Sequence, residues 1–178
     1  MKQTARQIVS RHLQAIMLAL AGVPGIYFHS LFGSRSWRAG VDLTGRNRTI
    51  NRQKLDLAAF ESELTDEIAL RNQVFQRYAQ LIRARRSFSA FHPYGEQQIL
   101  DCGAGIFALL RISPDGSQRA LCLHNISDQS QRVMIDLKNA SGLSGRLTDL
   151  ITNRQINNPL RDALGLQPYQ TLWLAMKE

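Results

Sequence analysis

The chain has 178 residues, 44% of them hydrophobic and 20% charged, a composition that supports a packed core and excludes a disordered tail or a repeat solenoid. A formal charge of +8, with a pI near 10.2, usually points to nucleic acid, acidic membrane or an anionic ligand. Its distribution says more: residues 1–86 carry 14 Lys/Arg against 6 Asp/Glu, whereas residues 87–178 carry 8 against 8, so two different units join near Arg86.

Ile8, His12, Ala15, Ile16, Ala19 and Leu20 recur at helical spacing and predict a helix from about Thr4 to Ala21, with Gly22 at the C-cap. Lys2, Arg6 and Arg11 ahead of AIMLALA resemble a secretory leader, and Leu13 to Phe32 carries no formal charge. The apolar core of such a leader would run only from Ala15 to Ala21, however, and Gly22, Pro24 and Gly25 would break a membrane helix into pieces too short to span. Neither segment is expected, and the location implied is cytoplasmic. GVPG then turns the chain, and Ile26 to Leu31 reads as a continuous apolar strand of the kind buried in parallel sheets. Such a strand needs neighbours that the rest of the chain does not offer, so the sequence reads as beginning in the middle of a fold.

Residues 33–56 read as a long polar loop with six cations: Arg35, Arg38, Arg46, Arg48, Arg52 and Lys54. Long loops in compact domains are commonly functional. Leu57, Phe60, Leu64, Ile68, Phe75, Tyr78 and Ile82 then predict a helix over Leu57 to Arg86, split near Leu64 where Thr65-Asp66-Glu67 resembles a fresh N-terminus. Arg83, Arg85 and Arg86 suit the C-terminal dipole and need no nucleic acid to explain them. After AFHPYG the texture changes to short Ile/Leu/Val runs bounded by turn residues. Strands are expected near Gln98 to Cys102, Ile106 to Ile112, Ala120 to Asn125, Val133 to Asp136, Gly145 to Asp149 and Thr171 to Met176, arranged as a small antiparallel β-sandwich. Asn47, Asn125 and Asn139 open N-x-S/T tripeptides, which arise often by chance.

The chemistry is sparse. Cys102 and Cys122 are too few and too far apart for a zinc site or a disulfide framework, and His12, His29, His92 and His124 have no ligand spacing, so no metal and no cofactor are expected. There is no G-x-S-x-G elbow, no P-loop, no G-x-G-x-x-G and no carboxylate pair on a strand end. No catalytic residue can be assigned.

Helix, buried strand, irregular basic loop and helix together read as the end of a (β/α)8 barrel, whose sites lie on the loops after the strands. The motifs GVPGIYFHSLFGS and TGRNRTINR, followed by the segment from LIRARR to AFHP, resemble the last barrel strand and onward of sucrose-phosphorylase-like members of the α-amylase superfamily. The strand motif is widespread in that superfamily; its pairing with RxINR is much narrower. The resemblance covers essentially the whole chain and implies an α+β fragment: residues 1–91 as the last strand and flanking helices of the barrel, and residues 92–178 as the all-β domain that follows.

By this resemblance the family transfers α-glucosyl groups with retention, through a carboxylate nucleophile and an acid/base carboxylate, with phosphate as an acceptor. Those carboxylates sit on earlier strands and match no position here, so the isolated chain is expected to be inactive. Arg48 falls on the arginine of RxINR, which resembles a sugar-contacting residue of the glucose subsite, and Tyr27, His29 and Ser30 occupy the strand end opening toward it. Asn51 and Arg52 are expected to hold the loop. Where sucrose phosphorylases tend to carry Asn-Asp after the loop glycine, this chain has Arg35-Ser36. That departure argues away from sucrose and toward an anionic acceptor such as glycerate, since arginine pairs well with carboxylates. The partners implied are a sucrose-like or glucosylglycerate-like α-glucoside and phosphate, with no nucleic acid and no membrane. A non-enzymatic carbohydrate-binding or interaction module is the alternative. A nucleic-acid-binding role, which the charge would favour, finds no interleaved surface aromatics and arginines on the strands. Without covering neighbours the chain is expected to self-associate.

Overall fold

In the computed structural model the residues described are 5–135, 142–157, 159 and 162–177, so Thr4, Asp136 and Asn139 lie outside them. The chain divides into two compact units, Met1–Pro24 with Leu81–Glu178, and Gly25–Gln80.

The first unit is built on strand alternation. Strands β1 (Glu96–Leu100), β2 (Ile106–Ile112), β3 (Arg119–Asn125), β5 (Leu147–Asp149), β6 (Gln155–Ile156) and β8 (Thr171–Ala175) form an antiparallel sheet in the order β1-β2-β3-β8-β5-β6. A second antiparallel pair joins β4 (Gln131–Val133) to β7 (Leu164–Leu166). Period-two alternation sends Leu110, Leu121, Leu123 and Leu174 to one face, where they meet Val133, Ile135 and Leu166 of the smaller pair in one apolar cluster. The expected strands form at β2 and, within two residues, at β1, β3, β5 and β8. The run placed at Val133 to Asp136 begins earlier, at Gln131. At two and three residues, β6 and β7 are too short to show any periodicity, which is why the sequence gives no sign of them.

The opposite face carries the row Leu109, Cys122 and Trp173 in register, with Phe107, His124 and Thr171 beside it. Helix α1 (Ala5–Ala19) belongs to this unit and buries Ala15, Leu18 and Ala19. Two arginines are buried here with no carboxylate partner among the described residues. Arg85 Nη1 donates to the carbonyls of Leu18 and Leu20, and Nη2 to that of Gly22 at 2.6 Å. Arg111 donates to the carbonyls of His92 at 2.8 Å and Ala19 at 3.4 Å. The end of a helix leaves carbonyls without donors, and these guanidinium groups supply them while meeting the negative end of the dipole. Gly22, at φ 93, turns the chain as its predicted capping role requires.

Buried polar side chains elsewhere in the unit also serve the backbone. Asp149 accepts from the Trp173 N–H at 3.1 Å and from the Thr152 hydroxyl at 2.6 Å. Asn125, fully buried, donates to the carbonyls of Gln129, Leu166 and Gln167. Its N-x-S tripeptide is therefore no modification site.

In the second unit the strand expected over Ile26 to Leu31 does not form. Phe28–Leu31 is instead a single helical turn, α2, with the N–H groups of Ser30 and Leu31 bonded to the Tyr27 carbonyl at 3.0 Å each. The reason is pairing: a strand satisfies its backbone only through neighbours, and the described residues offer this segment none, so local bonds take over. The long polar loop is also more ordered than its composition predicts, containing helix α3 (Arg38–Thr44), ended by Gly45 at φ 63, and a 3₁₀ turn at Asn47–Asn51. The break in the following helix occurs as expected: α4 (Leu57–Thr65), capped by the Asp56 carboxylate on the Ala59 N–H, is followed by α5 (Leu70–Arg86). Phe28, Phe32, Phe60 and Phe75 pack together, with centroid separations of 4.9 Å for Phe28–Phe32 and Phe32–Phe60 and 5.2 Å for Phe32–Phe75.

Candidate functional site

Every candidate residue lies in the second unit. Tyr27 stands just before α2, and its hydroxyl donates to the Asn51 carbonyl at 2.7 Å, three residues beyond Arg48. Two further ties hold the same segment: the Trp37 N–H bonds to the Ile50 carbonyl at 2.7 Å, and the Thr44 and Thr49 hydroxyls meet at 3.0 Å. A basic segment without a core of its own is thus fixed at both sides of Arg48. Asn51 holds the loop as expected, though through its backbone carbonyl, a role open to any residue type. Arg48 and Arg35 are both exposed. Over residues 33–56 the six cations face only two carboxylates, Asp42 and Asp56, so the segment carries +4 and attracts anionic groups.

His29 lies in α2 with its ring 5.5 Å from that of Tyr27 and edge-on to Phe28 at 86°. Its Nδ1 is 3.0 Å from the Ser34 hydroxyl oxygen. Ser30 takes part through its backbone, accepting from the Gly33 N–H at 3.3 Å. Gly33 has φ 62, and a Cβ there would stand 2.9 Å from Val74, so only glycine makes this turn without strain. Tyr27, His29 and the Arg48 turn are therefore brought together. Arg35 lies outside this set of contacts, one residue past Ser34.

Arg71, with its partners Ser34 and Glu63, escaped the sequence analysis. Arg71 of α5 donates through Nη1 to the Phe32 carbonyl and to the Ser34 hydroxyl, at 3.2 Å each, and through Nε to Glu63 at 2.6 Å. Its guanidinium carbon lies 5.1 Å from the Phe60 centroid. A lone arginine in a helical pattern gives no sign of this, because its partners lie 37 and 39 positions away.

Among the described residues no cluster of three or more His, Cys, Asp or Glu could hold a metal ion. None of the described helices is long and apolar enough to cross a membrane.

No family model matches the chain. Among curated proteins it is 42% identical over 167 residues to a glucosylglycerate phosphorylase of Spirochaeta thermophila, a match covering 90% of this chain and 28% of the relative. A glucosylglycerate phosphorylase of Escherichia coli is 37% identical over 163 residues, with 90% and 27% covered. The chain therefore spans somewhat more than a quarter of the length of the curated relatives it matches. Among solved structures, an α-amylase from Geobacillus thermoleovorans complexed with acarbose superposes with a TM-score of 0.72 at 13% identity, covering 97% of this chain and 34% of that one. A trehalulose synthase variant in complex with sucrose gives 0.69 at 16% identity, covering 97% and 39%. This chain is similar in sequence to part of glucosylglycerate phosphorylases, and it shares its fold with part of the solved α-amylase and trehalulose synthase chains.

Proposed function

We propose that the chain forms the C-terminal part of a retaining α-glucosyl-transferring phosphorylase acting on glucosylglycerate-like or sucrose-like α-glucosides. On this reading residues 1–91 close the barrel, residues 92–178 form the all-β domain, and the catalytic carboxylates are supplied from outside this segment. The observation that carries it is the 42% identity to a glucosylglycerate phosphorylase across nine-tenths of the chain. The pinned basic segment supports it. Arg48 offers a rigid fork of donors suited to sugar hydroxyls or a carboxylate, Tyr27 fixes the turn that carries it, and Arg35 with His29 and Ser30 adds polar groups suited to an anionic acceptor. A cytoplasmic location goes with this chemistry, since a sugar phosphate is charged and does not cross a bilayer unaided.

Arg48→Lys tests the proposal in a complete enzyme, with the preceding barrel segment supplied by a phosphorylase relative. Transition-state contact through the fork predicts that kcat/KM for phosphorolysis falls at least about tenfold, or roughly 1.4 kcal/mol. The 178-residue chain alone releases no glucose 1-phosphate, because retention needs two suitably separated carboxyl groups. Unchanged kcat/KM at matched folded concentration, with only thermal stability lost, would mean that Arg48 merely holds the loop.

A further inference from the structure

The contacts around Ser34 decide which nitrogen of His29 carries its proton. Arg71 Nη1 lies 3.2 Å from Ser34 Oγ, and a guanidinium can only donate. That contact uses the hydroxyl as an acceptor and leaves its single proton to be placed. His29 Nδ1, at 3.0 Å, is the acceptor that the described contacts offer it. A proton on Nδ1 would leave the Ser34 hydroxyl facing two donors with its own proton unpaired, which costs free energy at a half-buried position.

We infer that Arg71, acting through Ser34, selects for the neutral His29 ring the tautomer with its proton on Nε2, so that His29 presents an N–H donor to an oxygen of the bound substrate. Arg71 is a positioning residue, and the geometry resists rearrangement on every side. Glu63 and the Phe32 carbonyl fix its guanidinium, at 2.6 and 3.2 Å. The Ser34 N–H bonds back to the His29 carbonyl at 2.8 Å, closing the turn that keeps Oγ beside the ring. The ligand chemistry is an oxygen acceptor, a sugar hydroxyl or an acceptor carboxylate. An Nδ1-protonated ring would instead offer a bare lone pair at Nε2 and repel either lone pair or charge. That His29 faces substrate rests on the proposed function; the tautomer does not.

The test is magic-angle-spinning NMR on the 178-residue chain labelled with ¹⁵N at histidine, at a pH well above the ordinary histidine range, a measurement that self-association does not impede. His29→Gln assigns the signals. The wild type should show Nδ1 unprotonated and Nε2 protonated. Ser34→Ala should lower the ratio of Nε2–H to Nδ1–H forms about fivefold, the factor carried by one neutral hydrogen bond of about 1 kcal/mol. Arg71→Met should lower it too, because the freed Ser34 oxygen can then accept from Nδ1–H, while Ser34→Thr should keep it. Unchanged signals from His12, His92 and His124 certify the fold of each variant. A wild-type ring protonated on Nδ1, or one ratio common to wild type, Ser34→Ala and Arg71→Met, overturns the inference. Neither result touches the proposed function. Conversely, unchanged kcat/KM for His29→Phe in the complete enzyme removes His29 from the substrate site and leaves the tautomer standing.

Discussion

Lowering the pH from 7 to 5 should destabilise the first unit through a histidine pair buried against its sheet. His12 Nδ1 and His124 Nδ1 both approach the Thr171 hydroxyl oxygen, at 3.3 and 3.1 Å, with ring centroids 5.6 Å apart. The groups facing them are aromatic or neutral: Tyr169 beside His12 and Phe107 beside His124. Burial, with the neighbouring His12 as a smaller cause, lowers the His124 pKa from 6.5 to about 3. Burial lowers that of His12 as well, partly offset by a hydrogen bond to the Tyr169 backbone. The sign follows from which state binds protons. Below about 6.5 the unfolded chain protonates both rings while the folded chain resists, so stability is complete above the unfolded pKa and falls as the pH drops toward the folded value.

For His124 alone, full protonation in the unfolded state against almost none in the folded one amounts to about 2 kcal/mol between pH 7 and pH 5. Depressed carboxylates do not blur this window. Asp115, held near 2 mainly by the Ser113 hydroxyl and then by Ser117, loses its contribution only as the pH falls below its ordinary 3.8. Urea unfolding at several pH values, followed by Trp173 fluorescence in a Trp37→Phe background, reads the unit that contains the pair. His124→Gln keeps a polar partner for Thr171 but cannot titrate, so its stability should fall by about 2 kcal/mol less than the wild type over the same range. Parallel pH profiles for the two proteins would refute the argument.

Two further outcomes are expected. Arg85→Met leaves the carbonyls of Leu18, Leu20 and Gly22 without their donors and should cost about 3 kcal/mol or more in the same urea assay, with Arg85→Lys recovering part of it; a loss under about 1 kcal/mol would show that water replaces the guanidinium at no net cost. The isolated chain should self-associate, since Phe28 is 51% exposed, Leu57 68% and Ile68 72% within one small unit; light scattering that reports a monomer over a wide concentration range would contradict this.

The β-rich unit was legible where its strands are long and rich in apolar residues, as the nearly continuous buried run Ile106 to Ile112 shows, and not at the short β6 and β7. The second unit was less so. The apolar run at Ile26 to Leu31 reads as a buried strand, yet Ile26, Tyr27 and Phe28 are exposed; a strand is a property of two segments, and the described residues offer this run no partner. The 3₁₀ turn around Arg48 has no periodicity to reveal it; its order comes from Tyr27 and Trp37, more than ten residues away. Motif resemblance pointed to Arg48, Tyr27 and His29 as candidates, where periodicity could not. It could not find Arg71 or Ser34, because their part is to orient other side chains.

Within the positive charge of the first 86 residues, which looks like one feature in the sequence, the structure distinguishes two kinds of cation. Arg85 is spent on helix-end carbonyls, as is Arg111 beyond that boundary, and Arg71 on Ser34, Phe32 and Glu63. Each is committed to neutral or paired groups within the fold, where a guanidinium serves as a set of directed donors. The cations of residues 33–56 differ, since Arg35, Arg38, Arg46, Arg48, Arg52 and Lys54 are all exposed. Raised charge density on a pinned segment beside Tyr27 and His29 suits a small, hydroxyl-rich anionic ligand held in one orientation, which a mobile basic tail would not achieve. The reading that the charge serves a compact substrate thus rests on where the arginines are held, and the +8 total alone does not distinguish it from a polyanion surface.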